Sequence, residues 1–429
     1  MTAEYSPLLT NNTRSQANHA INQDLLAERP TQGSNFTAYV NVLCIVAGSG
    51  TLGLPYALRM GGWVGVGILI LSLAMSIYTS ILLIKCLYYN GTYRLSSFQE
   101  VGYHAFGRPG LIAVWFFYGT LAIGAPVMYL ILAGTEMSLI TGVELDPQTW
   151  IWFCAIFVGA QFVFLKTLKE VVYVSILGSL ATVVLVIIVV RGSILDFDNP
   201  EYENVEHHLI IFKNLPAMFA SMSVCYGGNI VFTHVEGSMR RPKDWNRVVT
   251  AALATCSILY LATAIPGYIA YGDRLKSPIL DNLPKDVFTK IGATVIVLHV
   301  LFAAPIPLIS VSLELERIAN IKLAHHGNAM EYLYRTIIRV LLIAFCGITA
   351  CTVPYFGDFL SLLGALANCS MIYVLPIVFY FKLIGWRHMR RYELAWCAAI
   401  VITGVLSAII GSIEAIKALR DDFENDNGN

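Results

Sequence analysis

Two short stretches of this chain put helix-breaking residues where an apolar helix would otherwise run, and chemistry could be built there. The first is Ala47-Gly48-Ser49-Gly50-Thr51-Leu52-Gly53-Leu54-Pro55, and the second is Tyr226-Gly227-Gly228-Asn229. Each glycine costs about 1 kcal/mol of helix propensity and each proline about 3. A broken helix frees N–H groups and carbonyls that hydrocarbon cannot satisfy, so inside a membrane it is tolerated only where it lines a cavity. The new half-helix N-terminus offers N–H groups and a positive dipole end to a carboxylate. The freed carbonyls, with Tyr226 and Asn229 beside them, offer acceptors to an ammonium group. One small site then holds both ends of a zwitterion without a charged side chain. Its expected substrate-binding residues are Gly48, Ser49, Gly50, Thr51, Leu52, Gly53, Tyr226, Gly227, Gly228 and Asn229. Gly48, Gly50 and Gly228 are expected to let backbone touch the ligand, an approach that an added methyl group would block. The competing reading is that these glycines only permit close helix packing.

An ionisable group at bilayer depth costs at least about 2.5–3.5 kcal/mol, so each one needs a reason. The candidates for coupling or gating are Glu136, His234, Glu236 and His299. Glu136 falls late in the third apolar block. His234 and Glu236 end the sixth, either as a helix terminus facing water or as an inner gate in which Glu236 pairs with a basic residue. His299 lies mid-way along the eighth, either as packing or as a proton carrier with an ordinary pKa of about 6.5. Glu314 and Glu316, beside Arg317, read as a solvated helix end, and Glu414 as a carboxylate snorkelling to the outer surface. The nine cysteines lie within or at the ends of apolar blocks and form no C-x-x-C pair, so neither a zinc site nor a disulfide framework is expected. No metal and no cofactor is implied, and a net charge of zero gives no attraction to nucleic acid.

The elements that carry these residues follow from composition. Hydrophobic residues make up 56% of the chain and charged residues 13%, about half the charge of a soluble domain. Such a chain cannot cover a water-facing surface. Apolar blocks at 36–58, 62–87, 111–141, 149–165, 171–191, 214–236, 246–271, 287–318, 332–353, 356–381 and 393–416 predict an all-α integral membrane protein of about eleven spans. The broken spans are the first and the sixth, five helices apart, which predicts two inverted five-helix repeats, each opening on a broken helix. Residues 1–35 are a polar, disordered cytosolic tail, 36–416 the transmembrane domain, and 417–429 a short acidic tail on the other side. With the N-terminus in the cytosol, 19 of the 28 Lys and Arg residues fall on the cytosolic side, as the positive-inside rule requires.

At the two breaks the chain resembles the amino acid/auxin permease family of the LeuT-like superfamily. Gly48 to Ala57, G-S-G-T-L-G-L-P-Y-A, is similar to that family's first-helix signature, and Gly61-Gly62-Trp63 to its second-helix entry. Tyr226 to Phe232, continuing through Glu236 to Met239 and Arg240, is similar to its sixth-helix signature, and the likeness spans about residues 36 to 416. The resemblance implies a secondary transporter of amino acids, coupled to protons or, in some branches, to sodium. Its vacuolar and lysosomal members are the most similar in tail and length; the plasma membrane is the alternative location. Unlike some relatives, this chain has no cysteine pair in its outer loops.

No ion-channel filter sequence, no arginine ladder and no catalytic constellation of facing polar residues is present. The carrier that the resemblance implies is therefore favoured, with export of amino acids to the cytosol by symport as its expected mode. A proton/amino acid antiporter filling the compartment and a non-transporting amino acid sensor are the alternatives. Glu4, with Leu8 and Leu9 four and five residues on, matches the acidic dileucine pattern read by sorting adaptors. The orientation has a direct test. Asn-x-Ser/Thr occurs at Asn11, Asn35, Asn90 and Asn368, all placed in the cytosol or the membrane. The native chain should carry no N-glycan, whereas a sequon inserted between Asp196 and Glu206 should be glycosylated. A glycosidase-sensitive gel shift of the unmodified protein would mean that the orientation is reversed.

Overall fold

The computed structural model describes residues 28–29, 32–164, 171–202, 204–318, 323–387 and 389–427. Glu4, Leu8 and Leu9 lie outside the described residues. Within them the regular structure is helical, apart from one isolated β-bridge.

The first apolar block folds as α1 (Asn35–Val46) and α2 (Leu54–Gly61), separated by a 3₁₀ turn at Ser49–Gly53 and bent by 45°. There follow α3 (Val64–Leu87), the short α4 (Phe98–Phe106), α5 (Arg108–Thr141), α6 (Pro147–Phe164) and α7 (Val171–Leu195). The sixth block is α8 (Leu215–Val224) and α9 (Asn229–Gly237), and the seventh is α10 (Trp245–Tyr271). The eighth divides at Pro305 into α11 (Val287–Ala303) and α12 (Pro305–Ile318), and α13 (Leu323–Thr352) follows. The tenth comprises α14 (Phe356–Leu363), two π-helical turns through Val374, and α15 (Leu375–Leu383); α16 (Arg391–Asn427) ends the order. Among the described residues, eight helices are long and apolar enough to cross a membrane, and the bent pair makes a ninth. Two shorter apolar helices, Pro147–Val163 and Leu180–Leu195, stand where the fourth and fifth spans are expected. Both predicted breaks are therefore present, and the π-helical interruption is an addition that the apolar pattern did not announce. The acidic C-terminal stretch continues α16 as helix to Asn427, where Phe423 packs edge-on to Tyr355 at 5.4 Å.

Large apolar side chains such as Phe116, Ile187, Ile258, Phe345 and Ile402 are exposed on the outside, as lipid-facing residues must be. Between helices, lipid gives no hydrophobic driving force, so contact depends on small residues and polar pairing. Gly364 illustrates the first: a β-carbon there would meet the Ala220 carbonyl of α8 at 2.0 Å. Asp286 illustrates the second. It caps α11 by accepting the Thr289 N–H at 2.9 Å and pairs with Arg191 of α7 at 2.6 Å. The backbone hydrogen bond and the guanidinium together hold its carboxyl below the usual carboxylate range.

A strap joins the beginning of α1 to the end of α9. Gly33 pairs with Met239 as a parallel bridge, its N–H donating to Ser238 and its carbonyl accepting from Arg240 at 2.7 Å. Arg29 adds hydrogen bonds to the Gly237 carbonyl and the Tyr88 hydroxyl, Glu28 pairs with Arg241 at 2.6 Å, and Asn35 bonds Asp244 at 2.7 Å.

Candidate functional site

A cavity of about 540 Å³ lies against both breaks. This is within the range of about 300–1,000 Å³ common for small-molecule sites. Gly48, Ser49, Gly50, Gly227, Gly228 and Asn229 line it, along one side of α1 and α9. The C-terminal pole of α1, Cys44 to Val46, and the N-terminal pole of α9, Gly228 to Val231, both face it. Neither the 3₁₀ turn nor α9 has a side-chain cap at its start. First-turn N–H groups have no partner within a helix, so they are available to a ligand. No Asp, Glu, Lys or Arg lines the cavity among the described residues.

The remaining residues expected in the site stand behind it. Thr51, Leu52 and Gly53 are buried in the turn, and Thr51 donates its hydroxyl proton to the Gly48 carbonyl at 2.9 Å. Tyr226 is fully buried and points away from the cavity, its hydroxyl 2.7 Å from Ser257 of α10 and 3.2 Å from the Leu69 carbonyl of α3. It holds the break in place rather than offering an acceptor to a ligand. The Asn229 amide is likewise occupied: its oxygen accepts from Ser80 at 3.1 Å, and its nitrogen faces the carbonyls of Met371 and Ile372.

The three glycines expected to admit a ligand divide. A β-carbon at Gly50 would press on the Cys225 sulfur at 3.2 Å, and one at Gly228 would collide with the Phe232 ring at 2.5 Å, so packing accounts for both. Gly48 is different. Nothing stands within 4 Å of its added β-carbon, and its backbone is extended, a conformation open to any residue. What this glycine preserves is room in the cavity.

Several contributors were not signalled by the breaks. Asn41 of α1, Tyr118 and Tyr129 of α5, Ser310 of α12 and Asn368 in the π-helical turn also line the cavity. Asn368 donates to the Ser223 carbonyl at 2.6 Å and stands against Gly227. An asparagine inside an apolar span was its only sequence signal, and π-helical turns commonly mark functional sites. Tyr260 of α10 has a structural role. Its hydroxyl lies 2.7 Å from the Val46 carbonyl and 2.6 Å from that of Cys225, sharing one proton between the freed ends of both broken helices.

The ionisable candidates separate as well. His299 lines the cavity. Glu136 does not; it is buried in α5, and its Oε1 has no partner. His234 is exposed at the end of α9, whereas Glu236 is fully buried, 2.8 Å from Arg94 and 2.5 Å from the Tyr88 hydroxyl. Arg94 also donates to the Thr233 carbonyl. Glu316, expected at a solvated helix end, is instead buried and paired with Arg335 and Arg339 at 3.1 and 3.5 Å. The neighbouring α13 supplies both arginines and shields it from water. All nine cysteines are free thiols, and no His/Cys/Asp/Glu group able to hold a metal occurs among the described residues.

Residues 31–417 match the model of the transmembrane amino acid transporter protein family. The chain belongs to that family. It is 28% identical over 399 residues to the amino acid transporter AVT1C of Arabidopsis thaliana, covering 90% of this chain and 70% of the relative. To AVT1I of the same plant it is 28% identical over 417 residues, covering 93% and 98%. Among solved structures, MhsT in complex with L-phenylalanine superposes with a TM-score of 0.55 at 10% identity, covering 90% of this chain and 99% of that one. A manganese transporter of Eremococcus coleocola gives 0.56 at 12% identity, covering 91% and 90%. The fold is the LeuT-like one, and the chain is a multi-pass amino acid transporter rather than an enzyme.

The Tyr260 bridge carries a prediction. Tyr260→Phe keeps the ring but leaves two buried carbonyls without their donor, which should cost about 1–3 kcal/mol. Thermal unfolding of the detergent-purified variant should show a lowered midpoint. An unchanged midpoint would mean that the breaks do not depend on the phenol.

Proposed function

We propose that this chain is a proton-coupled secondary transporter that carries neutral amino acids from a vacuolar or lysosomal lumen into the cytosol. One observation carries the reading. The cavity brings together the carbonyl end of α1 and the N–H end of α9, with no formally charged side chain on its wall among the described residues. A zwitterion's ammonium is matched by the first and its carboxylate by the second. A cationic or anionic side chain would find no partner in Leu121, Met128, Ile306 or Ile372, and leaving it unpaired out of water is costly. The relatives' names, amino acid transporters, agree with this substrate class.

Uptake into proteoliposomes tests it. Radiolabelled neutral amino acids should accumulate under an imposed pH gradient, and unlabelled neutral amino acids should compete while lysine and aspartate do not. Gly48→Ala should purify normally and lose most substrate-induced thermal stabilisation, while Gly67→Ala, whose β-carbon also meets nothing within 4 Å but which lies off the cavity, should keep it. Normal binding by Gly48→Ala would remove the α1 end from the site.

The location rests on the dileucine pattern at Glu4, Leu8 and Leu9. Tagged protein carrying Leu8→Ala and Leu9→Ala should move from the vacuolar or lysosomal membrane to the cell surface. Unaltered staining would discard the motif.

A further inference from the structure

His299 stands on the cavity wall, and its surroundings are unusual for a packed histidine. The ring belongs to α11 and faces Gly178 of α7. A β-carbon at Gly178 would lie 2.2 Å from the ring Cε1 and 2.5 Å from Nδ1, so only a glycine admits the imidazole at this position. Nδ1 is buried with no hydrogen-bond partner. One turn along α7, the Thr182 hydroxyl lies 3.1 Å from the Gly178 carbonyl and 3.3 Å from the Ala47 carbonyl, at the α1 break. The ring thus sits beside the unwound segment of α1.

Among the described residues its polar and titratable neighbours are few. On α5, Tyr118 and Tyr129 share the cavity, and Cys44 of α1 lies on the same wall. From α12 comes the Ser310 hydroxyl, and from α6 the Gln161 amide, which donates to the Leu301 carbonyl. Arg191 of α7 pairs with Asp286 at the far end of α11. Among the described residues no Asp, Glu, Lys or Arg shares the cavity wall with the ring.

We infer that His299 is the proton carrier of the transport cycle, an assignment that rests on the proton-coupled reading above. The neutral imidazole takes one proton from the acidic compartment and becomes imidazolium. It returns that proton, and nothing else, to water on the other side. In a cavity with no fixed carboxylate, the substrate's own carboxylate is the counterion. Proton and amino acid then raise each other's affinity, and by linkage the gain is reciprocal. Glu136 and Glu236 have no such position, because neither reaches the cavity.

The test compares two fluxes of each reconstituted variant: accumulation driven by a pH gradient, and counterflow at equal pH. In His299→Gln and His299→Asn the ratio of the first to the second should fall about fivefold or more. Substrate-evoked proton movement, read by a trapped pH dye, should disappear. In the wild type the pH profile of uptake should show a histidine-dependent bend that His299→Gln lacks. Gly178→Ala, which displaces the ring without removing it, should shift that bend. A wild-type ratio in His299→Gln overturns the assignment, as does loss of both fluxes in both histidine variants, which marks a structural role. An unshifted profile in Gly178→Ala counts against it too. Wild-type protein that exchanges amino acids but ignores the gradient would instead overturn proton coupling itself.

Discussion

A carbonyl released from a helix in hydrocarbon must find a donor, and here a single phenol answers for two helices. Tyr260 sits between the C-terminal carbonyls of α1 and α8 and shares its proton with both. Without that donor each unwound segment would leave a buried carbonyl bare, which lipid cannot satisfy. Behind it Tyr226 is clamped by Ser257 and the Leu69 carbonyl, and Ser257 also belongs to α10. The seventh span is thus the surface against which both breaks are set. The open backbone on the cavity side depends on the satisfied backbone on this one.

The cavity shows how little side-chain chemistry recognition requires once the backbone is so arranged. Opposite dipole ends of α1 and α9 face one space, and apolar residues fill much of the rest of its wall. Two buried carboxylates are kept elsewhere and paired. Glu236 is locked to Arg94 and Tyr88, and Glu316 to Arg335 and Arg339. Each buried carboxylate fixes a helix end, so the ionic groups brace the structure while the neutral cavity is left for the ligand.

Much of this was legible in the sequence because it follows from local cost. Glycine and proline clusters at 48–55 and 227–228 are too unfavourable in a buried helix to occur without a purpose, and both became breaks. Side-chain direction was not legible. Tyr226 and Asn229 lie at the sixth-span break as expected, yet neighbouring helices claim their polar atoms, and only tertiary packing reveals that. Tyr260 carries no sequence signal, since a tyrosine in an apolar span is unremarkable until its partners, 214 and 35 residues away, are known. The π-helical turns around Asn368 escape for a related reason: an apolar run reads the same whether its helix is regular or underwound. Gly50 and Gly228 show the limit from the other side, because a glycine's sequence position cannot say whether a ligand or a phenyl ring occupies the space it leaves.

The strap that Glu28, Arg29 and residues 33–35 form with residues 237–244 has a mechanical consequence. Its backbone pairing and ion pairs weld the entrance of the first span to the exit of the sixth. Two half-helices that meet at the cavity are thereby joined at their far ends as well, into a closed frame. Such a frame can rock as one piece, but neither arm can swing out alone without unzipping Gly33 from Met239. A force applied to the chain ahead of α1 therefore reaches α9 as directly as it reaches α1, making this segment a handle by which both arms can be gripped from outside.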